Sequence, residues 1–330
     1  MNPSADFEVL VPDLILDAVE EAAEVRLTGL ILPLPSYINR VYELQAEGNE
    51  RLIAKFYRPG RWPLAALQEE HDFVADCAAA DIPVVAPREL PGGGTLAEVE
   101  GLYFALFPKR HGRPLEIVAE EDWRRVGRLV GRVHAVGRRA DAPARTRLHP
   151  ETVRSEHVGR LREGGFITPR LRGEFDAVTG RILDRIIPLF EGLDEHRIHG
   201  DCHGGNLLDR PDEGLAIIDF DDMMRGPAIQ DLWLLLPDRA DRCGRELSLL
   251  VEGYEQFLEF DDRTLRLIEP LRALRILYFL AWCSRQANDY TFRASHPEWG
   301  SESFWRRELV DLQNQDQAIQ TALAHPTPLL

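Results

Sequence analysis

Near residue 110 the hydrophobic pattern of this chain changes its period. Before that point apolar residues come in short runs with polar neighbours, at 41–44, 52–57 and 102–107, the mark of β-strands. One helical stretch, 63–80, is inserted among them: Pro63 suits a first turn, and Asp81-Ile-Pro83 ends it. Pro91-Gly-Gly-Gly94 reads as a hairpin or loop. Beyond that point the period is helical over 120–137, 175–190, 247–259, 265–286 and 304–323, with Pro270 as an expected kink. Short strands at 197–199 and 215–219 interrupt the helices, and no internal repeat or low-complexity tract occurs. The expected fold class is therefore α+β: a small, mostly antiparallel β lobe with one helix over residues 1–107, a hinge at 108–114, and a larger helical lobe over 115–330.

With 330 residues and 44% apolar content the chain can fill two cores. Its 55 acidic residues against 39 basic ones give a formal charge of −16. Nucleic acid and anionic membranes would be repelled at long range, so neither is an expected partner; a nucleotide site would have to gather local positive charge. No basic segment followed by an apolar run opens the sequence, so no secretory signal is read there. The longest apolar stretch, 271–283, is interrupted by Arg272 and Arg275 and reads as a core helix. Cys77, Cys202, Cys243 and Cys283 are scattered and form no C-x-x-C pair, which makes a reducing cytoplasm the expected location.

The chemistry concentrates in His199-Gly-Asp201-Cys-His203-Gly-Gly-Asn206 and in the apolar strand that ends at Asp219-Phe-Asp-Asp222. Phosphoryl transfer to a hydroxyl needs a carboxylate near the nucleophile and metal ligands that bridge nucleotide phosphates. An Asp opening a tight loop, with an Asn five residues on, can bring both to one site, and a second Asp at a strand end completes the hard-oxygen shell that Mg²⁺ prefers. A plain alternative is that these residues only cap turns. A sharper one is a zinc hydrolase, because His196, His199, Asp201 and His203 crowd together.

Lys55 weighs against that second alternative. A lone cation in the apolar run Ile53-Ala-Lys55-Phe-Tyr57 needs an anionic partner. In the helix that follows, Leu67, Glu70, Phe73, Val74 and Cys77 share one stripe, so Glu70 is a carboxylate on an otherwise apolar face. A strand lysine paired with a helix glutamate serves phosphates and has no use in a metallohydrolase. Read singly, Lys55 is a snorkelling surface residue, and Glu69 competes with Glu70 for the register. Asp221 and Asp222 read as solvated carboxylates, with a second metal position as the alternative. Gly127 and Gly131 are spaced for a close helix contact, and His134 reads as a core or capping residue. No Walker A string occurs, which excludes a P-loop NTPase.

Six phrases carry a resemblance: Ser36-Tyr-Ile-Asn-Arg-Val-Tyr42, Lys55-Phe-Tyr-Arg-Pro59, Glu69-Glu-His71, the 199–206 string, Gly226-Pro-Ala-Ile-Gln-Asp-Leu-Trp233 and Ile268-Glu-Pro-Leu-Arg-Ala273. Together they resemble the aminoglycoside phosphotransferase and choline kinase branch of the kinase-like fold, and within it the bacterial eukaryotic-like serine/threonine protein kinases. The resemblance spans nearly the whole chain. It implies a two-lobed protein-kinase-like fold and an ATP- and Mg²⁺-dependent phosphotransferase. Asp201 would be the catalytic base, Asn206 and the catalytic Asp219 would hold Mg²⁺, and Lys55, oriented by Glu70, would contact the α- and β-phosphates. The loop from Ser36 through Asn39 to Arg40 would cover the phosphates, although it departs from G-x-G-x-x-G and has no glycine. His203 takes the slot of a catalytic-loop lysine and either touches the transferring phosphoryl group or is structural. Asp231 would clamp the catalytic loop's backbone. The interval from Asp219 to Asp231 leaves no room for an activation segment ending in A-P-E, so loop phosphorylation is not an expected switch. The implied acceptor is a Ser or Thr of a protein, the chain itself included, in stress physiology. The alternatives are a small alcohol or amino sugar, or a nucleotide-binding pseudokinase. A monomer is expected.

Overall fold

Pro12, in a first turn where its missing N–H costs nothing, opens a helix that the sequence reading passed over. That helix begins a computed structural model which describes residues 7–36, 38–210 and 214–325. In order, the elements of the first 116 residues are α1 (Pro12–Ala23), β1 (Leu27–Leu34), β2 (Arg40–Ala46), β3 (Arg51–Phe56), α2 (Leu64–Ala79), β4 (Ala97–Val99), β5 (Leu102–Pro108) and β6 (Arg113–Pro114). Then come α3 (Glu120–Gly137), α4 (Pro150–Thr152), α5 (Gly159–Glu163), α6 (Arg172–Ile186), β7 (His196–Ile198), β8 (Leu207–Arg210), β9 (Gly214–Ile217) and β10 (Met224–Gly226). The last are α7 (Ile229–Trp233), α8 (Gly244–Tyr254), α9 (Ile268–Arg285), α10 (Tyr290–Ser295) and α11 (Glu302–Ala324). The chain is thus α+β, and it divides into two compact units.

The first unit comprises Met1–Glu116, Ala142–Arg145 and Gly204–Met223. Its main sheet is antiparallel in the order β1-β2-β3-β5-β4, so β3 lies at the centre. Because side chains alternate across a strand, Ala54 and Phe56 pack with Phe104 and Leu106 against Ile15, Ala18 and Val19 of α1. Tyr57 and Ala105 face the other way and meet Leu67 of α2. Lys55 shares that second parity. A three-stranded sheet, β6-β8-β9, completes the unit. The expected hinge at 108–114 therefore ends inside a paired strand, and the hairpin β8–β9 groups with the N-terminal unit because it pairs with β6 and bridges to Val84.

The second unit comprises Ile117–Asp141, Thr146–His203 and Met224–Leu330. The predicted bounds of α3 match its observed ones; the Asp122 carboxylate accepts from the Val118 and Ala119 N–H groups at 3.1 and 2.9 Å and fixes the start. Gly127 and Gly131 lie against the backbone of α8: a Cβ on Gly127 would sit 2.1 Å from the Leu250 carbonyl oxygen. The expected kink at Pro270 does not occur. Pro270 lies in the first turn of α9, where its ring breaks no hydrogen bond. Among the described residues no helix is long and apolar enough to cross a membrane. Cys77, Cys202, Cys243 and Cys283 are all buried.

Candidate active site

In the first unit one lysine gathers three carboxylates. Register aligns Leu34 with Val41 and Val41 with Lys55, so Lys55 stands in the same row as the end of β1, beside the turn that carries Ser36 and Asn39. Its Nζ lies 3.8 Å from Glu70 Oε1, 3.2 Å from Asp219 Oδ1 and 3.1 Å from Asp221 Oδ1. Burial acts to lower the ammonium, but Asp221, Asp219 and Glu70 outweigh it and hold Lys55 well above its ordinary range. Burial pushes Glu70 up to about 7 against the pull of Lys55, and Asp221 adds to the rise. Glu69, the competing register, points elsewhere: its carboxylate accepts from the Ala144 N–H at 3.1 and 3.0 Å.

Asp221 is not the solvated carboxylate that the sequence suggests. It is 5% exposed, and it accepts from Lys55, from Arg61 and from Asn39 Nδ2 at 3.2 Å. Burial acts to raise it, yet Arg61, Lys55 and Arg145 together hold it far below the usual carboxylate range. Asp222 pairs with the same Arg61 at 2.6 Å. Arg145, whose side chain has no exposed surface, donates to the Asp221 and Met223 carbonyls at 2.6 and 2.7 Å and lies 3.6 Å from Glu70. It stacks on Trp62 at 3.9 Å. Arg61 and Arg145 were missed because their contacts come from distant segments, and neither lies in a periodic stretch. Asn39 also accepts from the Arg58 N–H at 3.0 Å, which ties the turn to β3's end; Ser36 is half-buried in it, and Tyr37 lies outside the described residues.

The hairpin β8–β9 sets the second pair of predicted residues. Leu207 pairs with Ile217, and the Ile218 N–H donates to the Asn206 carbonyl at 3.0 Å, so Asn206 and Asp219 emerge beside one another. Asp219 has φ +63°, a left-handed conformation that a non-glycine residue adopts at a cost, and its side chain is 56% exposed. Two hard oxygen donors at one hairpin end, one of them a projecting carboxylate, are the residue types that would hold a divalent cation such as Mg²⁺.

The second unit holds the predicted base. Gly200, at φ +84°, turns the backbone between His199 and Asp201. Asp231 is fully buried and accepts from the His199 N–H at 2.7 Å, the Gly200 N–H at 2.8 Å and His134 Nε2 at 2.9 Å. Gln230 Nε2 donates to the Gly200 carbonyl at 3.1 Å. This is a clamp on the loop's backbone, and it absorbs His134 as a brace that also meets the Tyr254 hydroxyl at 3.2 Å. Asp201 is flanked by His203 Nε2 at 3.5 Å and by Arg275 Nη2 of α9 at 2.8 Å. Burial acts to raise the Asp201 carboxyl, but His203 and Arg275 outweigh it and leave it below the usual range. Cys202, beside it, is buried, and burial pushes its thiol well up. Arg275 was visible in the sequence only as an interruption of an apolar run.

The histidines required by the zinc alternative do not converge. His196 stacks edge-on against His134 at 4.9 Å, and His199 Nδ1 accepts from the Asp201 N–H at 3.3 Å. Among the described residues no three His, Cys, Asp or Glu side chains are grouped to hold a metal ion.

The sequence profile of the phosphotransferase enzyme family matches residues 31–268. The chain is 37% identical over 331 residues to stress response kinase A of Escherichia coli strain K12, with all of both chains covered. It is 36% identical over 331 residues to serine/threonine protein kinase RdoA of Salmonella typhimurium, covering 100% of this chain and 98% of that one. Among solved structures, amicoumacin kinase in complex with AMP-PNP, Ca²⁺ and Ami superposes with a TM-score of 0.70 at 18% identity, covering 94% of this chain and 93% of that one. That likeness shows the fold. The full-length relatives and the profile show more: the chain belongs to the phosphotransferase enzyme family, among the kinases related to stress response kinase A.

Proposed function

We propose that this protein transfers the γ-phosphoryl group of ATP, with Mg²⁺, to a Ser or Thr hydroxyl of a protein, itself included, in bacterial stress physiology. The observation that carries the transfer reading is Lys55, an ammonium kept charged and aimed by Glu70 and Asp221 beside the hairpin end that bears Asn206 and Asp219. The names of the full-length relatives support the acceptor class.

Each residue then has a physical task. Lys55 offers its ammonium to the nucleotide's phosphates, and Glu70 and Asp221 fix where it points. Asn206 and Asp219 would hold Mg²⁺, which when bound neutralises charge on the phosphate oxygens during transfer. Asp201 accepts the proton of the acceptor hydroxyl, and Asp231 keeps that carboxylate where it is by holding the loop's backbone amides. His203, half-buried and 3.5 Å from Asp201, would touch the transferring group.

The test is incubation with γ-labelled ATP and Mg²⁺, alone, with a generic protein substrate, and with a panel of small alcohols and aminoglycosides. Label should appear on Ser or Thr of protein, and Asp201→Asn should lower the rate by roughly a thousandfold while ATP still binds. Robust turnover of a small alcohol with no labelled protein would overturn the acceptor assignment.

A further inference from the structure

Asp201 does not face the acceptor alone. Arg275 projects from α9 between the buried Leu274 and Leu277, so its backbone is anchored, and its guanidinium reaches Asp201 Oδ1 at 2.8 Å. Its side chain nevertheless remains 38% exposed, against 23% for Asp201. The other carboxylate oxygen lies 3.5 Å from His203. A hydroxyl that gives its proton to Asp201 must come within about 3 Å of that carboxylate. It therefore comes within roughly 6 Å of a guanidinium that cannot lose its charge.

We propose that Arg275 is a specificity-determining residue of the acceptor side: it places a permanent positive charge beside the catalytic carboxylate, which turns away hydroxyls flanked by an ammonium group and admits neutral or acid-flanked ones. The inference rests on Asp201 being the base of the phosphotransfer proposed above. Amino sugars and amino alcohols carry an ammonium group a few bonds from the hydroxyl and meet like charge. A serine or threonine in a neutral or acidic peptide does not. Arg275 also holds Asp201 in place, but a purely positioning role would slow every acceptor equally, and that difference makes the two roles separable.

The experiment compares kcat/KM for three serine peptides that differ only in the residue next to the serine: Lys, Ala or Asp. Wild type should prefer the Asp peptide over the Lys peptide by roughly tenfold. Arg275→Lys should keep that ratio, Arg275→Gln should bring it near one, and Arg275→Glu should reverse it, while the KM for ATP stays unchanged in all. A wild type indifferent to the flanking charge overturns the proposal without any variant. So does an unchanged ratio in Arg275→Gln. Should wild type label no peptide but phosphorylate small alcohols, the protein-acceptor reading fails by itself. The same ratio is then read between glycerol and ethanolamine, where wild type must favour glycerol and Arg275→Gln must lose that preference.

Discussion

Lys55 and Glu70 are 3.8 Å apart, with Arg145 3.6 Å from the other oxygen of the same carboxylate, so Glu70 is held in place toward Lys55 and the two should act as one unit in catalysis. Lys55→Ala and Glu70→Ala should each lower kcat/KM by about a hundredfold, and the double variant should be little worse than Lys55→Ala alone. Additive losses in that cycle would show that Glu70 does not orient Lys55. Glu69, the competing register, is the control. Its bonds to the Ala144 N–H make Glu69→Ala cost about 1 kcal/mol of stability, with no coupling to Lys55. The pairing of Lys55 with Glu70 was readable because a helical stripe and a strand period are local properties. The neutralisation of Asp221 was not, since Arg61 and Arg145 reach it from 160 and 76 residues away.

At the scale of elements, the packing of α3 on α8 depends on bare backbone. Cβ atoms added at Gly127 and at Gly253 would sit 2.1 Å from the Leu250 carbonyl oxygen and 2.2 Å from that of Arg124, and neither oxygen can move without breaking its helix. Gly127→Ala should destabilise the protein by about 3 kcal/mol, seen as a Tm several degrees lower, whereas alanine at Gly180, whose Cβ would meet nothing within 4 Å, should leave Tm nearly unchanged. An unchanged Tm for Gly127→Ala would mean the two helices are not in contact there. The glycine spacing and the bounds of α3 were legible because caps and period lie within the helix itself. α1 carries the same local signals, Pro12 in its first turn and Ile15, Ala18 and Val19 on one face, but its role is apparent only once the sheet face it covers is known. The segment 142–145 has no period at all, so nothing local could reveal that Arg145 braces the helix bearing Glu70.

Taken over the whole molecule, acid should act through histidines buried in the neutral state. Burial lowers His71 to about 3, His157 to about 4 and His196 to about 2, against an ordinary 6.5. Above pH 6.5 none of them takes a proton in either state; below it the unfolded chain binds protons that the folded chain refuses, so stability falls as pH drops toward the folded values. At pH 5 each should cost about 2 kcal/mol. Denaturant midpoints should fall between pH 7 and pH 5, and His196→Leu should flatten that slope, because among the described residues neither ring nitrogen of His196 has a hydrogen-bond partner to lose. An equally steep slope in His196→Leu would mean its ring is protonated in the fold. Cys202, Cys243 and Cys283 obey the same rule of burial with a different outcome. Oxidants and alkylating reagents attack the thiolate. Burial pushes Cys283 up to about 12 and Cys202 well above its ordinary range, so almost no thiolate exists there at neutral pH. A pulse of peroxide that disables thiol-dependent enzymes would leave the loop around Cys202 chemically untouched, although its sulfur atom sits next in sequence to Asp201.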